Sequence, residues 1–80
     1  MSISVVKSPQ AFARDVRFDE HMMHVVLEDG RCISIPIEWF PRLRNASERQ
    51  RKRWRLIGHG LGIHWSDLDE DLSVAALLEA

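Results

Sequence analysis

An 80-residue chain that is 45% hydrophobic and 29% charged has room for one domain with one core. Nothing in it approaches the roughly 20 apolar residues that cross a bilayer, and residues 1–10 lack the apolar centre of a signal peptide. The single Cys32 cannot close an internal disulfide, so a reducing, cytoplasmic setting of bacterial type is expected, with no membrane partner.

The net charge of −1 conceals a strong segregation. Between Arg42 and Arg55 seven cations face Glu48 alone, whereas five acids and no cation lie between Trp65 and Ala80. Two oppositely charged surfaces, or two segments that neutralise each other, would follow.

In chain order, residues 1–10 show no periodicity and contain Pro9. They read as a loose end of the single domain 1–80, with Val5-Val6 as a short edge strand at most. Phe12, Arg14, Val16 and Phe18 share one parity, which predicts a half-buried strand. The polar turn Asp19-Glu20-His21 follows. Met23, Val25 and Leu27 then form the apolar face of a second strand, and Ile33, Ile35 and Ile37 that of a third, with Asp29-Gly30 between them. A two-residue loop would set Val25 against Ser34 and split the apolar sets. A three-residue loop, Glu28-Asp29-Gly30, sets Val25 against Ile33 and Met23 against Ile35. One-residue slips carry a side-chain set to the wrong face, so the second register is predicted, with Gly30 left-handed. Cys32 in mid-strand reads as a small buried hydrophobe.

Pro36 ends or edges the third strand because it has no amide hydrogen, and Pro41 suits the first turn of a short helix. Ser47 and Gln50 are spaced as a capping box. The helix they open has no apolar residue between Glu48 and Arg53, so it must lie on the surface. Trp54 and Leu56 mark a fourth strand. It runs into Gly58-His59-Gly60-Leu61-Gly62, where glycines permit a turn or a close backbone approach. Ile63-His64-Trp65 reads as a further short strand, and Asp67-Leu68-Asp69-Glu70-Asp71 as an acidic lead-in to the last helix. That helix is capped by Ser73, stapled by Leu72 and Leu77, and faces the core with Val74, Leu77 and Leu78. The expected architecture is α+β: a small antiparallel sheet of four or five strands with two short helices.

The stretches DGRCISIPIEWFPRL, ASERQR and GxGIHWSDLDEDLSVxxLL together resemble a small bacterial family, domain of unknown function 2442, over roughly Val16 to Leu78. The resemblance implies a small α+β fold. It also implies members that stand alone or are joined to a helix-turn-helix DNA-binding domain, some of them encoded beside small toxin-like proteins. It supplies no catalytic or binding residues.

Chemical motifs are sparse. Asp67-x-Asp69-x-Asp71 has the spacing of the first ligands of a calcium loop, but Leu72 stands where glycine is needed and Leu78 where the closing Glu belongs. The acids read instead as complements to a helix N-terminus. His59 and His64 with one cysteine do not make a zinc frame. Nucleophilic catalysis would need Cys32 or a serine beside a histidine held by a third group, and a chain this short encloses a ligand pocket with difficulty. No catalytic residue, metal or cofactor is therefore expected. The expected function is a non-enzymatic regulatory or protein-interaction domain, the family context pointing to a small toxin-like partner. Its binding residues would be Trp39, Arg42, Arg49 and Arg53, since Trp and Arg dominate interface hot spots. The alternative is a nucleic-acid-binding accessory domain that uses the basic segment 42–55. Against it, the isoelectric point near 6.4 lies well below that of dedicated binders.

Overall fold

A computed structural model describes residues 11–79 of the protein. The loose end and edge strand expected in residues 1–10 lie outside the described residues. Strands β1 (Ala13–Phe18), β2 (Met22–Leu27) and β3 (Cys32–Pro36) form one antiparallel sheet in that order. A 3-10 turn, Ile37–Trp39, leads into two one-turn helices, α1 (Pro41–Arg44) and α2 (Glu48–Arg51). Strands β4 (Trp54–Ile57), β5 (Gly62–Trp65) and β6 (Glu70–Ser73) make a second antiparallel sheet, and α3 (Val74–Glu79) follows.

The α+β class is as expected, but the single sheet of four or five strands with two helices is not. The described residues form two sheets of three strands with three short helices. Two physical causes account for the difference. Pro36 closes the first ladder and Pro41 opens α1, so the chain leaves the first sheet before β4 begins. The residues read as an acidic lead-in are also a strand: Glu70 and Leu72 are half-buried while Asp71 and Ser73 are exposed. That is a period of two hidden beneath charge.

The first hairpin has the register that apolar parity demands. Val25 pairs with Ile33 and Met23 with Ile35, and Gly30 takes a φ of 95°. The same register sets Cys32 opposite Val26, on the face away from Val25, so the thiol is exposed rather than buried. In β1 the expected parity fails. Ala13 pairs with Leu27 and Asp15 with Val26, leaving Arg14 as a bulge that turns both Ala13 and Val16 inward. The reason lies across the core. At Gly60 a Cβ would stand 2.4 Å from the Ala13 carbonyl oxygen, so these two backbones touch and only small residues fit.

Both sheets feed one core. Met23, Val25 and Leu27 from the first, Ile63 and Trp65 from the second, Leu43 from α1 and Val74 from α3 are all fully enclosed. Phe18 meets Trp65 edge-to-face with centroids 6.4 Å apart. The Ser47–Gln50 capping box is formed, and Ser73 Oγ accepts the Ala76 amide at 3.4 Å. Leu77 is buried, but Leu78, expected in the core, is 42% exposed. A helix of only six residues offers one narrow stripe, and Val74 and Leu77 fill it. No helix of the described residues is long and apolar enough to cross a membrane.

Candidate functional site

The four residues expected to bind a partner do not form one cluster. Trp39 ends the 3-10 turn after β3 and is 58% exposed, whereas Trp54 is half-buried and Trp65 wholly buried. Arg42 on α1 donates to the backbone carbonyl of Asp69, and Arg53 lies 3.4 Å from the Asp67 carboxylate. Both therefore grip the same turn between β5 and β6. Arg49 is exposed on α2 and has no hydrogen bond or ion pair among the described residues.

Arg51 has a different task. Its Nε donates to the Leu43 carbonyl at 2.8 Å and its Nη2 to the Arg44 carbonyl at 3.0 Å. Its own carbonyl accepts the buried Trp65 indole N–H at 2.9 Å. One arginine thus satisfies the end of α1 while its backbone receives the buried polar atom of the second sheet. Around it an open cleft of about 400 Å³ is lined by Glu20, His21, Glu38, Arg44 and Arg51. Acids and bases alternate there, so the cleft selects no single sign of charge.

The basic and acidic segments meet without cancelling. Of the acids after Trp65, Asp67 pairs with Arg53 and Asp71 with His64. Arg44, Arg49 and Lys52 have no acidic partner among the described residues. The three aspartates of the calcium-like spacing also part company. Asp67 and Asp71 turn to different partners, and Asp69 adopts a left-handed φ of 50° in the turn. Among the described residues no three His, Cys, Asp or Glu side chains converge as metal ligands would.

Two polar arrays are not marked by residue type alone. On β5–β6, His64 Nδ1 meets Asp71 across the ladder. On the first sheet, Asp19 Oδ2 lies 2.7 Å from His24 Nε2, and His24 Nδ1 lies 2.7 Å from Ser34 Oγ. The His24 contact and amide bonds from His21 and Met22 pull the Asp19 carboxyl down to about 2. Asp15, bonded to Arg17, and Asp29, bonded to the Arg31 amide, are also held below the usual carboxylate range. A signal for the second array was present in the sequence: the register that opposes Val25 and Ile33 also opposes His24 and Ser34.

Fold and surface together define a small two-sheet α+β domain carrying an exposed tryptophan and arginines that lack acidic partners among the described residues. Residues 13–80 match the family described as Protein of unknown function (DUF2442), and the chain belongs to that family. It is similar to a protein of unknown function from Rhodospirillum rubrum, known from a crystal structure. The identity is 32%, the TM-score is 0.78, and the match covers 89% of this chain and 88% of that one. It also resembles an uncharacterised protein of Chromobacterium violaceum, solved by NMR. There the identity is 23%, the TM-score is 0.74, and the match covers 85% of this chain and 64% of that one, a likeness of fold. No match was found among curated proteins.

Proposed function

We propose that this protein is a regulatory or interaction domain whose partner is another protein, small and toxin-like as the family resemblance implies, acting in the bacterial cytoplasm without catalysis. The observation that carries this reading is Trp39. A tryptophan 58% exposed beside a basic helical segment is the residue type and setting of an interface anchor. Apart from Trp39, Arg49 offers a cation unpaired among the described residues, which favours a partner with an acidic surface. Arg42 and Arg53 are engaged separately, at the turn between β5 and β6. The exposed thiol of Cys32 fits a reducing compartment.

Affinity capture from a bacterial host, followed by titration of the captured partner, tests the proposal. Trp39→Ala should weaken binding by about 2 kcal/mol or more, roughly 30-fold. An unchanged affinity would remove Trp39 from the interface. A second reading, nucleic-acid binding, draws on Arg44, Arg49 and Lys52, which lack acidic partners among the described residues. Three phosphate contacts would give a salt slope near −2.7 on duplex DNA. The net charge of −1 opposes this, and the expected affinity is weaker than about 10⁻⁵ M at physiological salt. Fluorescence anisotropy at two salt concentrations separates the readings, because submicromolar binding with that slope would promote nucleic acid over protein.

A further inference from the structure

The outer face of the first sheet carries a hydrogen-bonded row that the partner-binding reading leaves unused. His24 and Ser34 stand directly opposite on β2 and β3. The Leu27 amide donates to the Arg31 carbonyl at 2.8 Å, which marks that pair as hydrogen-bonded. Strict alternation then makes His24 and Ser34 a non-hydrogen-bonded pair, the kind whose side chains lie closest. Their contact follows: Ser34 Oγ is 2.7 Å from His24 Nδ1.

The far side of the imidazole fixes its proton. Asp19 Oδ1 accepts the His21 and Met22 amides at 2.9 and 2.7 Å, which locks the carboxylate in place. Its Oδ2 lies 2.7 Å from His24 Nε2. A carboxyl held down to about 2 is ionised near neutrality and can only accept. In the neutral ring, Nε2 therefore carries the hydrogen, Nδ1 offers its lone pair, and the Ser34 hydroxyl must donate to it. A serine hydroxyl polarised by a base that a carboxylate orients is the arrangement that activates serine nucleophiles.

We propose that Ser34 is a covalent acylation site, accepting an acyl group from an activated ester or thioester. As Oγ bonds to the acyl carbon, its proton passes to His24 Nδ1, and Asp19 stabilises the imidazolium. Collapse of the tetrahedral adduct breaks the C–O or C–S bond, and the departing oxygen or sulfur takes the proton from Nδ1. An O-acyl serine and a free alcohol or thiol result. Ser34 is exposed, so the donor can be bulky. The neighbours facing the row are Arg17, opposite His24 on β1 and tied to Asp15 at 2.9 Å, and the exposed Cys32.

The test treats the full chain with p-nitrophenyl acetate and locates acetyl groups by tandem mass spectrometry. Because thiols and amines also react, Cys32→Ser is the background for every variant. Acetyl at Ser34 is expected. His24→Gln should slow labelling of Ser34 by about 100-fold or more, the usual worth of a general base. Asp19→Asn should slow it less, and Asp19→Glu should restore part of the rate, as a positioning residue would. Thermal unfolding confirms that each variant is folded. Acetyl found only on Lys7, Lys52 or the amino terminus, or Ser34 labelled equally fast in the Cys32→Ser chain with and without His24→Gln, would overturn the proposal.

Discussion

Gly30 and Gly60 both adopt left-handed backbone, at φ values of 95° and 101°, but their surroundings differ completely. Nothing lies within 4 Å of a Cβ built at Gly30, whereas one at Gly60 would meet the Ala13 carbonyl at 2.4 Å. Gly30→Ala should therefore lose about 1 kcal/mol, the conformational term alone. Gly60→Ala adds the displacement of β1 and should lose about 2–4 kcal/mol. Urea unfolding of the two variants checks this, and equal losses would deny the close approach. Acid stability is also decided at single residues. The folded-state pKa of Asp19 is lowered from 3.8 to about 2, so it stabilises the fold fully above the higher value and loses that contribution as pH falls through the window between the two. Asp15 and Asp29 act in the same sense. Asp19→Asn should lower Tm near neutrality, and the gap from wild type should close as pH falls from about 4 to about 2. A gap independent of pH would show that the charge of Asp19 contributes nothing.

Elements whose pattern is local were legible before any coordinates. The parity of Val25 and Ile33 set the first hairpin, Ser47 and Gln50 opened α2, and Ser73 capped α3. Elements that depend on distant chain were not. The bulge at Arg14 answers to Gly60 across the core, and no window of sequence contains both. β6 went unread because an edge strand keeps charge on its open face, and Glu70 and Asp71 resemble helix-leading acids as closely as strand residues. The site followed the same division. His24 and Ser34 were implicit in the hairpin register, whereas nothing local distinguished Arg51, which links two helical turns and a buried indole, from its solvated neighbour Arg49. That difference is measurable. Arg51→Lys keeps the charge but loses the planar fork whose Nε and Nη2 reach the two carbonyls, and should lose about 1–2 kcal/mol. Arg49→Lys should stay within about 0.5 kcal/mol of wild type. Equal effects in chemical denaturation would return Arg51 to the solvated surface.

At the scale of the molecule, the two sheets exchange no ladder among the described residues, yet neither has a core of its own. Trp65 of the second sheet is wholly buried, meets Phe18 of the first, and is bonded through its indole to the backbone of α2. Gly60 presses on Ala13, and Leu43 and Val74 close the same cluster from the helices. Separating the sheets would expose the same apolar surface on both, so they should fold and unfold as one unit. For 80 residues the total stability is expected to be about 4–12 kcal/mol, too little to divide between independent halves. Far-ultraviolet circular dichroism reports the strands and helices, and tryptophan fluorescence is weighted toward the burial of Trp65. In urea the two curves should coincide with one midpoint. Trp65→Phe removes the indole bond and leaves a smaller ring, so it should keep a single dichroism transition and move it down by about 2–3 kcal/mol. Fluorescence and dichroism midpoints that differ in the wild type, or a Trp65→Phe dichroism curve that splits into two steps, would show that the sheets are separately stable.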